Sequence, residues 1–119
     1  SMAVEIEKQT HSNAVIWAQD NTLFLTGDID DLDPGLYLTP FFNSARQQMG
    51  DALTIDFTRL DFLNSSGIKC IVSFVMEKPP SAHLTFVTDP GKTWQLTSFE
   101  VIQSLDEDHI RISEKPMDP

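Results

Sequence analysis

Apolar side chains recur along this chain with two periods, and each change of period marks out an element. Alternation suits a strand with one buried face, whereas spacings of three, four and seven suit one face of a helix. Leu53, Ile55 and Phe57 alternate through a strand at 53–57, and Ile68, Ile71, Val72 and Val75 then take the helical spacing. Upstream, 4–6 reads as a weak strand, 8–13 as a polar mobile stretch, and 14–18 and 22–26 as two strands. Gln19-Asp20-Asn21 between the last two supplies turn residues, so they are expected to form an antiparallel hairpin. Leu38, Phe41, Phe42, Ala45 and Met49 predict a helix whose regular part starts near Pro40 and which Gly50 stops. After Pro79-Pro80, 83–87 is a further strand with Leu84, Phe86 and Val87 apolar, and Asp89-Pro90-Gly91 is a turn. A last helix over 93–104 carries Trp94, Thr97, Val101 and Leu105 on one face, with Leu96 and Phe99 adjoining, and Trp94 is expected to serve the core or packing and not to bind a ligand. Ile110-Arg111-Ile112 is a candidate edge strand. The fold class this predicts is α/β: a mixed, mostly parallel sheet with an N-terminal hairpin and about three helices packed against it.

The central strand and helix meet at Asn64-Ser65-Ser66-Gly67. A helix start leaves its first N–H groups without partners, and Asn and Ser side chains satisfy them well. The same N–H groups and the helix dipole favour an anion, so a phosphate on Ser65 or Ser66 would meet free donors. It would add roughly −1.5 to −2 charges at neutral pH. Taken alone, such a serine pair is a helix cap.

The run DFLNSSGIKCIV resembles the signature of STAS domains, the fold of bacterial anti-sigma-factor antagonists. There a strand leads into Asp-Ser-Ser/Thr-Gly-Leu/Ile and a helix, and the serine after the acidic position is phosphorylated. The resemblance maps that serine onto Ser65, with Ser66 as second candidate, and maps Gly67 onto a glycine that admits a neighbouring backbone. The acidic position is Asn64 here. Gly27-Asp28-Ile29-Asp30 also matches a loop that lies beside the serine in the family, so the resemblance spans about residues 14–105, while the family's Gly-Leu ending of the last helix is replaced by TSFEVIQSLD. The resemblance implies a partner-switching regulator without enzymatic activity. Unphosphorylated, it would bind a serine kinase of anti-sigma type. Phosphorylation would prevent binding and a PP2C-type phosphatase would restore it. The implied binding surface is Asp28, Asp30, Asn64, Ser65, Ser66, Gly67, Lys69 and Ser73. The alternative is a constitutive STAS module that binds protein or a small ligand and is never phosphorylated.

Composition narrows the field further. At 119 residues the chain is read as a single domain over 1–113 with a core at 14–105, a disordered tail at 114–119, and a leading Ser-Met left from cloning. Eighteen acidic against eight basic residues give a formal charge of −10, which argues against nucleic acid and admits a basic protein partner. No apolar run approaches the roughly 20 residues that span a bilayer, and the single Cys70 fits a reducing cytoplasm as a small buried hydrophobe. Asp28, Asp30, Asp31 and Asp33 invite a calcium reading, but an EF-hand wants Gly sixth and Glu twelfth, where Asp33 and Thr39 stand. His11, His83 and His109 flank no recognisable nucleophile, and neither a Gly-rich phosphate loop nor a Cys/His metal pattern occurs. No cofactor or metal is expected.

Overall fold

A computed structural model describes residues 3–116. In chain order these form β1 (Ile6–His11), β2 (Ala14–Gln19), β3 (Thr22–Ile29), α1 (Gly35–Gln48), β4 (Ala52–Asp56), β5 (Leu60–Leu63), α2 (Ser65–Glu77), β6 (His83–Thr88), α3 (Thr93–Gln103) and β7 (Ile110–Glu114). The strands make one sheet in the order β1-β2-β3-β4-β6-β7, with β5 on β3. The pairs β1–β2 and β2–β3 are antiparallel and the rest parallel, which is the mixed, mostly parallel sheet anticipated.

The β2–β3 hairpin turns on Asp20 and Asn21, both left-handed at φ 51 and 64, the twist that a two-residue hairpin needs. Register pairs Ile16↔Leu25, Leu23↔Ile55 and Ile55↔Phe86 carry the buried strand residues across a single face. The helices close over that face through Phe41, Phe42, Ile71, Phe74, Phe99 and Ile102. On the opposite face Trp17 stacks on Phe24 at 4.8 Å, and the Lys8 ammonium and Arg59 guanidinium lie over the Trp17 ring at 4.6 and 5.2 Å. These cations shelter aromatic surface that no helix covers.

Four elements differ from the sequence reading. The stretch 8–13 is regular structure and not a loose polar segment: most of it is β1, whose ladder to β2 shifts by one residue between Ile6 and Gln9. An edge strand needs a partner's backbone more than an apolar pattern, and IEKQTH has little of one. The central strand does not run straight into α2. It breaks at a turn held by the Asp56 carboxylate, which accepts from the Thr58 N–H at 2.8 Å, and resumes as β5. Helix α1 starts at Gly35 and carries the exposed Pro40 inside it. The N–H that proline lacks would have bonded the Leu36 carbonyl, which lies in an exposed turn where water can serve it. Its end is set by Met49, extended at φ −72 and ψ 150, and not by a left-handed glycine.

The fourth difference is the face of α3. Gln95, Phe99 and Ile102 are buried, while Val101 and Leu105 are 66% and 47% exposed. Phe99 stacks on Phe57 at 4.0 Å and meets Phe86 edge-on, so the aromatic contact sets the helix rotation. Trp94 is half-buried against Phe99, a packing role as expected. The C-terminal edge strand is present as β7 and extends to Glu114, a residue the sequence reading gave to the tail. Residues 117–119 and the leading Ser-Met lie outside the described residues.

Candidate functional site

Asn64 joins β5 to α2 with its backbone extended at φ −78 and ψ 172. All four of its polar groups are used. The backbone N–H donates to the Ile29 carbonyl at 3.0 Å, and the backbone carbonyl accepts from Ile68 N–H at 3.0 Å. Side-chain Oδ1 accepts from Gly67 N–H at 2.8 Å, the cap anticipated from sequence. Nδ2 donates to the Asp31 carbonyl at 2.7 Å. Asn64 thus caps α2 and clamps the loop after β3 onto the helix start.

Ser65 is the exposed first residue of α2 and Ser66 the half-buried second. Their N–H groups precede any intrahelical acceptor, and no acidic residue occupies the first turn of α2. Ser65, Lys69 and Ser73 stand at i, i+4 and i+8, which places them in one exposed stripe. Gly67 departs from expectation. It is buried, and a Cβ there would come within 2.5 Å of Leu63 Cδ1 and 3.1 Å of Ile29 Cγ2. The space is taken by the protein's own side chains, so Gly67 serves packing and offers no surface to a partner.

The loop over the helix start is tied from its other side as well. Tyr37 Oη donates to Asp31 Oδ1 at 2.6 Å, and the Tyr37 ring stacks on His11 at 4.5 Å. Hydrogen bonds from Ser12 and Tyr37 hold the Asp31 carboxyl below the usual carboxylate range. Burial, with Asp31 beside it, pushes the Tyr37 hydroxyl well above its ordinary range, so at neutral pH the pair is carboxylate and neutral phenol. Asp30 accepts from Asn13 Nδ2 at 3.4 Å, and Asp28 N–H donates to the Asn13 carbonyl at 2.9 Å. Gly27, at φ +82, makes that approach possible, because a side chain there would collide with the Asn13 carbonyl. Asp28 and Asp30 therefore lie at the same end of the molecule as Ser65, joined to it through Ile29, Asp31 and Asn64.

A groove of about 210 Å³ runs between α1 and α2 below the stripe, bordered by Thr39, Asn43, Arg46, Lys69 and Ser73. Its floor includes the stacked rings of Phe42 and Phe74 at 4.9 Å, and the Arg46–Glu77 ion pair at 2.9 Å lies at its border. Cys70 lines this groove half-buried instead of sitting in the core, and burial pushes its thiol up, away from reactivity. Tyr37, Ser12, Asn13 and Arg46 were not singled out from sequence. Each has a partner outside its own element, whereas the Asn64–Gly67 signature and the 27–30 loop were local enough to read.

No family model matches the chain, and no curated protein matches it. Among solved structures it is similar to the crystal structure of an anti-sigma factor antagonist from Mycobacterium paratuberculosis, with a TM-score of 0.62 and 16% identity over 87% of this chain and 85% of that one. The fold is the STAS fold to which DFLNSSGIKCIV pointed.

Proposed function

We propose that this chain is a non-catalytic partner-switching regulator of the anti-sigma-factor-antagonist kind. Unmodified, it binds a serine kinase of anti-sigma type through the loop after β3, Asn64 to Ser66, and the Lys69–Ser73 stripe. The observation that carries this reading is the setting of Ser65: exposed, first in α2, and beside an acidic loop fixed in place. The kinase would phosphorylate Ser65, with Ser66 as second candidate, and a PP2C-type phosphatase would remove the phosphate. The helix start could accommodate that phosphate through free N–H groups. A docked partner could not, because the new charge adds to Asp28, Asp30 and Asp33 at a surface that must be desolvated. Among the described residues no helix is long and apolar enough to cross a membrane.

A second reading, a constitutive binding module, draws on Asn64. Its amide is engaged in the cap and the clamp, and it offers no carboxylate to a kinase or phosphatase. Phosphopeptide mass spectrometry of the protein from its native cells separates the two. Phosphate on Ser65 whose occupancy changes with growth conditions supports the switch. Phosphate on Ser66 alone keeps the switch and moves its site, and an unmodified protein under all conditions favours the module. Ser65→Asp should abolish binding of a partner that the wild type retains. Undiminished binding would remove the charge mechanism.

A further inference from the structure

We propose that Leu32 and Leu36 form a preformed apolar anchor that seats in an apolar depression with a basic rim on a protein partner. This rests on the binding role proposed above and adds the chemistry of the contact. Leu32 is 99% exposed and Leu36 79% exposed, the two largest exposures among the large hydrophobic residues described. Neither is adrift. On one side of Leu32 the Asp31 carbonyl is held by Asn64 and its carboxylate by Tyr37. On the other side Leu36 N–H donates to the Asp33 carbonyl at 3.3 Å as α1 begins. A leucine in a free loop would fold back on the nearest apolar surface, whereas these bonds fix the backbone on both sides and leave the side chain in solvent. Anchors ordered before contact lose little freedom on binding.

Charge selects the occupant. Asp28, Asp30, Asp31 and Asp33 all lie within four residues of Leu32 in a chain of net charge −10. A second copy would bring the same acidic loop against this one, and an anionic lipid surface would repel it. A protein surface with Lys or Arg around an apolar hollow meets both requirements. The groove between α1 and α2 is a separate feature, and neither leucine lines it.

The test titrates the isotopically labelled full chain with a short amphipathic helical peptide, leucine on one face and lysine on the other, followed by NMR. A second peptide carries glutamate in place of lysine. The expected result is shifts centred on 30–36 and 64–66 with the lysine peptide, no binding of the glutamate peptide, and at least about tenfold weaker binding by the folded Leu32→Ser/Leu36→Ser variant. Shifts centred elsewhere, equal affinity of the double variant, or no binding of the lysine peptide would overturn the anchor. Ser65→Asp in the same titration keeps the two proposals apart. Because an added carboxylate attracts a cationic peptide, Ser65→Asp should leave lysine-peptide binding at 30–36 intact whether or not the switch operates. This titration therefore reads the anchor alone, and the switch is read on retention of its own partner. If the lysine peptide does not bind at all, the anchor fails and the switch is judged on its own partner.

Discussion

Asn64→Asp changes one atom's role at the position where this chain departs from the STAS signature. Asp and Asn cap helices about equally, so the bond from Gly67 N–H should survive the change at little cost. A carboxylate at the helix start also gains roughly 0.3–1 kcal/mol from the dipole. The clamp is lost, because the bond to the Asp31 carbonyl at 2.7 Å needs a donor and a carboxylate has none. That bond is worth about 0.5–1.5 kcal/mol net. The two terms nearly cancel, so global stability should fall by about 1 kcal/mol or less. Asn64→Ala removes cap and clamp together and should cost about 2 kcal/mol.

The sharper readout is local. Losing about 1 kcal/mol at the clamp makes opening of the loop roughly fivefold more frequent, since 1.4 kcal/mol is tenfold. Amide hydrogen exchange at Leu36, bonded to the Asp33 carbonyl, and at Asn64, bonded to Ile29, should therefore speed up in Asn64→Asp. Exchange across β2, β4 and β6 should not change. If loop exchange in Asn64→Asp matched the wild type, the clamp would have no energetic weight, and if Asn64→Ala were no less stable than Asn64→Asp, the cap would have none.

Three further outcomes follow from other clusters. Gln95 is fully buried, donates to the Phe57 and Leu60 carbonyls at 2.7 and 3.0 Å, and accepts from Asp89 N–H at 2.8 Å. Gln95→Leu removes three hydrogen bonds to backbone, of which the Phe57 carbonyl keeps another donor, Leu60 N–H at 2.9 Å. It should cost about 2–3 kcal/mol in a urea titration, and a cost below about 1 would contradict that role. The Lys78 side chain is 1% exposed and its ammonium pairs with Asp106 at 2.8 Å, while Asp106 is 28% exposed and also meets His109. Asp106→Asn strands a buried cation and should destabilise by about 3 kcal/mol, whereas Lys78→Met leaves a hydrated carboxylate and should cost less than half of that. Equal losses would show that the burial of Lys78 is immaterial. Hydrogen bonds hold Asp106, from Lys78 and His109, and Asp89, from Gly91 and Lys92, below the usual carboxylate range, as at Asp31. A depressed folded pKa gives stability that is complete above the unfolded value, about 3.9, and is lost as pH falls below it. Thermal unfolding should therefore be flat from pH 7 to about 5 and decline steeply below about 4, and Asp106→Asn should make the decline shallower.

The parts of this fold legible in the sequence are those where burial on one side imposes a local period. Leu53, Ile55 and Phe57 announce β4 because alternate residues face the helices. β5 escaped notice because its pattern is buried, exposed, exposed, buried, with Phe62 at 51% exposure. α3 misled because apolar character and burial part company there. Gln95 is inside, where its amide serves three backbone groups, and Val101 is outside. Pro40 misled in the same way, since a missing N–H costs little where the carbonyl it would bond faces water.

The candidate site divides along a similar line. A cap is local chemistry, three residues from Asn64 to Gly67, and can be read from the chain. The clamp spans 33 residues, from Asn64 to Asp31, and nothing in the sequence reports it. The cap alone makes Asn64 look like a weaker version of the family's aspartate, because only an acceptor is needed there. The clamp gives the asparagine a use that aspartate cannot fill, because the same side chain must accept from the helix and donate to the loop. Phosphate on Ser65 would then act next to a loop already fixed to the helix start. Its charge would bear on Asp28, Asp30 and Asp33 at set distances, where a loose loop could swing away. The asparagine that withholds a carboxylate from the switch thus holds in place the acidic surface on which the switch would act.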